Sequence, residues 1–404
     1  MKSVLIVADF ACINGGQAKV AIDSAVLLAD EGIDVTYFAA VGPADPLLEH
    51  PNISVELLGQ NDILAEPSRF KAAVRGIWNG SARKRLIEVA KRFDPQSTLL
   101  HCHGYAKALS PSIGPILTDG PLAAVYTMHE FFLACPNGGF FDYPKNTICN
   151  RKALGFDCLT TNCDVRHPAH KAWRVLRQAA TWGPGCMPRR MQDIIYISET
   201  QRHVLSSYLS QGSRLHYVPN PIARPKGASI DAAKNDIFLF VGRLNPEKGC
   251  VMFAEAARRL GVEAVFVGDG AQSEAIRAVN PDANILGWQS PEEVQVWLRR
   301  ARALVFPSLW YETFGLTAYE ALAQNVPVVC GTWTAAAEAI VHGRTGVLYG
   351  SADVESLTDA MDQAGHMTFD QSSVALDELS PAAHRIRLLD CYNAVLRDRV
   401  WLTK

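Results

Sequence analysis

The sequence predicts an α/β protein built from two doubly wound, Rossmann-like domains, each a parallel sheet covered by helices. Three observations lead there. Short apolar runs rich in β-formers alternate with helix-period stretches from the first residues onward, the punctuation of βαβ units. A proline-rich joint, Val218-Pro219-Asn220-Pro221-Ile222-Ala223-Arg224-Pro225-Lys226-Gly227, interrupts that alternation, which then restarts. The chain has 404 residues, and chains beyond about 250–300 residues tend to divide into separate cores.

The first strand is expected over 4–8, because Asp9 cuts its apolar run too short for a signal peptide. A loop over 10–16, a helix over 17–31 and a second strand over 34–39 after Gly32 complete a βαβ unit. Further strands fit 53–58, 98–101, 123–127 and 194–197. After the joint come strand 237–241, helix 251–260, strands 264–267 and 284–286, helix 291–301, strand 303–306, helix 316–324 and strand 327–330. Ile386, Leu388, Leu389, Tyr392, Val395 and Leu396 recur at helical spacing over 381–401, so a closing amphipathic helix is expected there. The expected units are 1–215, with a cysteine-containing insertion at 135–165, then 216–380, and a helix at 381–404 packing back toward the first unit. Open parallel sheets bind ligands beyond the carboxyl ends of their strands, which places the expected site in the cleft between the domains.

With 48% hydrophobic and 20% charged residues, the composition is that of a folded protein and excludes a disordered or collagenous chain. Lys and Arg number 39 against 41 Asp and Glu, a formal charge of -2, so no global field draws the chain to nucleic acid. No apolar run reaches the roughly 18–20 residues that span a bilayer. Ten cysteines spread over the whole length indicate reduced thiols and a cytoplasmic setting more than a secreted disulfide framework.

Most of the chemistry lies in Phe306-Pro307-Ser308-Leu309-Trp310-Tyr311-Glu312-Thr313-Phe314-Gly315-Leu316-Thr317-Ala318-Tyr319-Glu320-Ala321-Leu322. A strand ends at Phe306, a loop carries Glu312, and a helix begins near Gly315. The backbone N–H groups of Thr313, Phe314, Gly315 and Leu316 would form an anion site at that helix start. Glu320, about one turn further in, is placed to accept hydrogen bonds from two vicinal hydroxyls, as a ribose offers. Isolated glutamates are usually solvated, but this layout suits a nucleotide diphosphate.

Glu312 and Glu320, with Ala321-Leu322-Ala323 and Val326-Pro327-Val328-Val329 after them, resemble the E-x7-E signature of the retaining family 4 glycosyltransferases of GT-B fold. Phe240-Val241-Gly242-Arg243-Leu244-Asn245-Pro246-Glu247-Lys248-Gly249 resembles that family's Arg and Lys clamp on the donor diphosphate. Val267-Gly268-Asp269-Gly270, Leu286-Gly287 and Phe306-Pro307-Ser308 fall where the family has them, and the resemblance is strong over 218–349 and looser before. Physically, Arg243 offers a planar fork and Lys248 a mobile point charge, two cations able to face a leaving diphosphate without a metal ion. Gly268-Asp269-Gly270 carries less weight and also reads as a tight turn.

In the first domain, Asn14-Gly15-Gly16-Gln17 joins strand one to helix one, and its glycines let backbone N–H groups approach a phosphate. The resemblance implies that Gly15 and Gly16 lie near the donor phosphates. It implies too that His129, in Thr127-Met128-His129-Glu130, contacts the transferred sugar or the reacting centre. His101 and His103, in His101-Cys102-His103-Gly104, are expected to line the acceptor side. The chain departs from the family where Thr334-Ala335-Ala336-Ala337-Glu338 replaces a glycine pair, and Asn325 replaces the glycine before Val-Pro. Asn still tolerates the left-handed cap conformation.

Cys135, Cys149, Cys158 and Cys163 crowd the insertion, with His167 and His170 just beyond. Three readings stand: a structural zinc, free thiols or disulfides; the spacing is not the diagnostic C-x2-C pair. Two basic stretches, 69–92 with Lys71, Arg75, Arg83, Lys84, Arg85 and Lys91, and 166–190 with Lys171, Arg174 and Arg177, are accompanied by Trp78 and Trp173. They read either as solvated helix faces or as a peripheral contact with anionic lipid on the inner face of the cytoplasmic membrane.

The resemblance implies transfer of a sugar from a UDP- or GDP-sugar to a hydroxyl of a glycan or lipid-linked acceptor, with retention, in bacterial exopolysaccharide or lipopolysaccharide assembly. His129, Glu312, Arg243 and Lys248 would act at the reacting centre. Gly15, Gly16, Gly268, Leu286, Thr313 to Leu316 and Glu320 would hold the donor, with no metal required for catalysis. The alternatives are a nucleotide-sugar epimerase or hydrolase on the same scaffold, and a nucleotide-sugar-binding protein without turnover.

Overall fold

A computed structural model describes residues 1–224 and 230–402. The first sheet has seven parallel strands in the order β3-β2-β1-β4-β5-β8-β9. Its strands are β1 (Ser3–Phe10), β2 (Asp34–Val41), β3 (Ile53–Leu57), β4 (Thr98–Cys102), β5 (Ala123–Thr127), β8 (Asp193–Tyr196) and β9 (Arg214–Tyr217). A two-stranded antiparallel pair, β6 (Phe141–Asp142) and β7 (Thr147–Ile148), lies in the insertion. Helices α1 (Gly16–Ala29), α2 (Arg69–Ile77), α3 (Gly80–Ala90), α4 (Gly114–Asp119), α5 (Phe156–Thr160), α6 (Pro168–Trp182) and α7 (Glu199–Leu205) complete the unit.

The second sheet has six parallel strands in the order β12-β11-β10-β13-β14-β15. They are β10 (Ile237–Val241), β11 (Ala264–Val267), β12 (Asn284–Ile285), β13 (Ala301–Phe306), β14 (Val328–Gly331) and β15 (Gly346–Tyr349). The helices are α8 (Cys250–Leu260), α9 (Ser273–Val279), α10 (Pro291–Arg300), α11 (Leu316–Leu322) and α12 (Val354–His366), followed by α13 (Pro381–Leu402).

Each sheet is apolar on both faces, as parallel sheets covered by crossovers must be. Alternate residues of β1 feed two separate cores: Leu5 and Val7 pack with Leu86 and Leu100, whereas Val4 and Ile6 pack with Ile22 and Leu28. The second sheet repeats the division around Leu239 and Val265 on one face and Phe238 and Phe266 on the other.

The first sheet ends at Tyr217, so a boundary at 215 would cut its last strand. β9 is a short, polar edge strand of alternating exposure, a pattern too weak to stand out in the sequence. Of the joint, Pro225, Lys226 and Gly227 lie outside the described residues. Leu376 and Leu379 belong to the core of the second sheet, and α13 then carries Leu388, Tyr392, Val395 and Leu396 onto the first. His384 anchors its start, with Nδ1 2.7 Å from the Pro219 carbonyl and Nε2 3.0 Å from Ser24 Oγ. Among the described residues no helix is long and apolar enough to cross a membrane.

Because Leu388 is 1% exposed within that shared core, Leu388→Ala should cost about 2–5 kcal/mol. A lower urea midpoint at an unchanged site chemistry is the expected reading.

Candidate functional site

The carboxyl ends of β1, β4 and β5 face those of β10 and β13, and loops from the two sheets meet between them. A Cβ on Gly16, in the first turn of α1, would stand 2.9 Å from Leu316 Cδ1 at the start of α11. Thr313 Oγ1 donates to the His129 carbonyl at 3.0 Å, and Ser198 Oγ donates to the Thr313 carbonyl at 2.8 Å. The Glu338 carboxylate accepts from the backbone N–H of Glu199 at 3.0 Å and of Thr200 at 2.6 Å, capping α7 from the opposite domain. The loop that replaces a glycine pair therefore forms a short 3-10 turn over Ala335–Ala339 and presents Glu338 across the domain junction.

Glu312 lies at the centre. It is 8% exposed, and a single oxygen, Oε1, receives Lys248 Nζ at 2.6 Å, Ser308 Oγ at 2.6 Å and Trp310 Nε1 at 2.8 Å. Oε2 accepts from none of the described groups. Burial pushes the Glu312 carboxyl up, but Lys248 and the two neutral donors outweigh it and hold the group below its ordinary value. Lys248 also stands 5.4 Å from the centre of the Trp310 ring.

Local chain geometry sets this arrangement. Pro246–Lys248 forms a 3-10 turn that ends at Gly249 with φ 69°, where a Cβ would sit 2.1 Å from the Pro307 carbonyl oxygen. Only glycine allows both the left-handed backbone and that approach, which brings the Lys248 turn against the Ser308 loop. Leu309 N–H donates to the Glu247 carbonyl at 2.8 Å and closes the contact.

Arg243 is exposed and makes no side-chain hydrogen bond or ion pair among the described residues. Its charge, with that of Glu247, is felt at Tyr143 of the insertion, where burial is the main effect raising the phenol. The insertion also seats Gly139 against Trp310, where a Cβ would be 2.7 Å from the indole. Arg243 and Lys248 thus both lie where the second domain meets the insertion of the first.

The backbone N–H groups of Thr313, Phe314, Gly315 and Leu316 donate to no described group. Phe314 is buried and stacks on Tyr319 with ring centres 4.3 Å apart, and Gly315 takes φ 93°. Glu320 has no hydrogen-bond partner among the described residues and faces α1; burial raises its carboxyl, against Lys19, while Asp23 adds to the rise. Gly268 and Leu286 shape the ends of β11 and β12: Gly268 N–H donates to the Gly287 carbonyl at 2.8 Å, and Leu286 packs against the core. Asn325 takes φ 63°, the left-handed cap its position needs.

One sequence expectation requires correction, and two readings left open by the sequence are narrowed. His101 and His103 do not line an open acceptor surface: they are 0% and 1% exposed, beneath His129, because β4 carries them into the sheet's covered end. All ten cysteines are free thiols, and among the described residues no three metal-ligating side chains form a metal-holding group. The Lys171 ammonium stands 3.2 Å from Cys163 Sγ and 3.5 Å from Cys158 Sγ, occupying the position a cation would need. The basic stretches are largely paired internally: Lys71 and Arg75 with Glu66, Arg85 and Arg92 with Glu56, Arg174 with Asp164. Arg177 is buried against Phe132 and donates to the Ala106 and Pro136 carbonyls.

Sequence reasoning did not single out Trp310, Ser198, Glu338 or the insertion's Gly139 as parts of this centre. Ser308 and Trp310 lie within a few residues of Glu312 in the quoted run; Ser198, Glu338 and Gly139 carry no local signal because their partners lie on distant segments.

Comparison with known proteins follows the same division. Residues 235–365 match the family model described as "Glycosyl transferases group 1". A 2-deoxystreptamine N-acetyl-D-glucosaminyltransferase of Niallia circulans is 31% identical over 132 residues, 30% of this chain and 34% of the relative. The chain thus spans about a third of that relative's length. The lipopolysaccharide core biosynthesis mannosyltransferase LpcC of Rhizobium leguminosarum bv. viciae is 27% identical over 221 residues, covering 50% of this chain and 58% of its own. The crystal structure of Anabaena Alr3699/HepE in complex with UDP and glucose superposes with TM-score 0.65 at 14% identity, covering 97% of this chain and 100% of that one. The fold is GT-B. The family match and the relatives support a glycosyltransferase.

Burial lowers the titration of His129 from 6.5 to about 3 and of His384 from 6.5 to about 4, and it drives His101 and His103 well below 6.5. The unfolded chain binds these protons near 6.5 while the folded chain refuses them, so stability rises with pH across the window from about 3 to 6.5. It is fully present above 6.5 and is lost progressively as pH falls below it. The urea midpoint should therefore drop between pH 7 and pH 5; an unchanged midpoint would mean that the folded protein protonates these rings freely.

Proposed function

We propose that the chain is a retaining glycosyltransferase of family 4, moving a sugar from a nucleotide diphosphate sugar to a hydroxyl acceptor. The observation that carries this reading is Glu312, whose Oε1 is saturated by Lys248, Ser308 and Trp310 while Oε2 stays available. A carboxylate held that way orients sugar hydroxyls, and the cation that holds it stands ready for a phosphate. As the glycosidic bond breaks, negative charge grows on the diphosphate and the sugar becomes oxocarbenium-like. Arg243, Lys248 and the unoccupied N–H groups at Phe314 to Leu316, with those near Gly15 and Gly16, would stabilise that growth. Glu320 would take the ribose hydroxyls, Gly268 and Leu286 would border the base, and His129 would contact the sugar. A leaving-phosphate oxygen would take the acceptor proton on the same face, so the reaction needs no separate protein base.

In this reading the unit of the first sheet, which runs through Tyr217, binds the acceptor, the unit of the second sheet binds the nucleotide sugar, and the terminal helix ties the two together. UDP as the donor nucleotide is supported by the UDP complex of HepE, and assembly of a bacterial surface glycan by the likeness to LpcC. A cytoplasmic enzyme touching the inner membrane surface is supported by α2, where Phe70 is 80% exposed.

Lys248→Ala should keep its fold and lose about 10²–10³ in transfer rate, the usual cost of one preorganised donor. Near wild-type transfer by that variant would remove Lys248 from the mechanism. A panel of UDP-, GDP- and ADP-sugars read by thermal melting should pick out one donor, since a ligand of the folded state raises its melting temperature. If none shifts it, the nucleotide-sugar reading fails.

A further inference from the structure

We propose that His103 is a positioning residue that sets the tautomer of His129, so that His129 presents an N–H donor, and no basic nitrogen, to the ligand. The assignment of that ligand as a donor sugar rests on the function proposed above; the tautomer itself does not. The site is a stack of three buried rings at the carboxyl ends of β4 and β5. His103 Nδ1 lies 3.0 Å from His129 Nε2, with the rings 17° from parallel and their centres 5.2 Å apart. Burial keeps both rings neutral, so each carries one proton, and one proton serves the contact between them.

The other nitrogen of His103 decides which ring donates. His103 Nε2 is buried and has no hydrogen-bond partner. A proton there would be an orphaned buried N–H, which folded proteins rarely tolerate; an unpaired acceptor is less unusual. The proton of His103 therefore sits on Nδ1 and is donated to His129 Nε2. His129 Nε2 is then an acceptor, and its own proton is on Nδ1, which has no partner among the described residues.

The surroundings hold the His103 ring in place. His101 lies tilted against it, ring centres 3.9 Å apart and planes 38° from parallel, and is itself pinned by the Tyr392 hydroxyl at 2.5 Å and Thr127 Oγ1 at 2.6 Å. Gln17 Nε2 donates to the His103 carbonyl at 2.6 Å, tying the backbone to the first turn of α1. His129 in turn accepts Thr313 Oγ1 at its carbonyl, one residue from Glu312. The donor N–H thus belongs to a segment tied to the residue that follows Glu312, and in the function proposed above the two side chains would offer a sugar one donor and one acceptor. Such a His129 cannot remove a proton at that nitrogen.

The test is the ring proton-nitrogen correlation spectrum of the full chain labelled with 15N-histidine. Wild type should show His129 protonated on Nδ1. His103→Leu should lose that pattern, with kcat down about tenfold, the worth of one hydrogen bond, and little change in the donor KM. His103→Asn, whose amide N–H takes the place of Nδ1, should restore both. A wild-type His129 protonated on Nε2, or a folded His103→Leu with the His129 pattern unchanged, overturns the proposal. If wild type turns over no sugar nucleotide, the spectra still decide the role of His103, and only the functional reading falls.

Discussion

The buried contact between Lys248 and Glu312 is the constraint on which the site depends. Moving both charges out of water costs more than a lone ion pair usually returns, and such a pair is a poor source of stability. Here the cost is offset by concentrating three donors on one carboxylate oxygen, two of them neutral. The carboxylate stays ionised while Oε2 remains open, and the ammonium is held at the end of a turn by Glu312 and against the Trp310 ring. Every other feature of the centre is arranged to keep those two loops in register: the left-handed Gly249, the bond from Leu309 to Glu247, and the indole of Trp310.

The second constraint is how two sheets of unrelated sequence come to share one site. Polar contacts between them converge on the loop from Glu312 to Leu316, beside apolar ones in which Ile197 joins the core of the second sheet and Tyr311 packs against the core of the first. Ser198 and His129 grip Thr313 from the first domain, Gly16 makes room for Leu316, and Glu338 returns the contact by capping α7. Polar bonds thus fix the geometry of a junction that also buries apolar side chains. The terminal helix adds to it, since α13 buries its apolar face in the core of the first sheet after the chain leaves the core of the second.

The insertion adds a third layer. Its Gly139 rests on Trp310 and its Tyr143 feels both Arg243 and Glu247, so a segment of the first domain forms part of the wall around the cations of the second. Burial raises the Cys135 and Cys163 thiols there, and Lys171 lies against Cys158 and Cys163.

Much of this was legible from the chain alone. Period and punctuation determined the two parallel sheets and the closing helix, because strand and crossover each carry a local pattern. The run from Phe306 to Leu322 and the turn at Gly249 carried the candidate charges, because loop chemistry at a strand end needs particular residue types. What the chain could not disclose is who meets whom. His101 and His103 look like surface ligands until β4 is seen to carry them under cover; Lys71 and Arg75 look like a basic patch until Glu66 is seen between them; four cysteines leave zinc, thiols and disulfides open until the thiols are seen free, with Lys171 against two of them. Those outcomes hang on distances between segments far apart in sequence, and a buried charge or ring takes its meaning from the partner that desolvates or pairs with it.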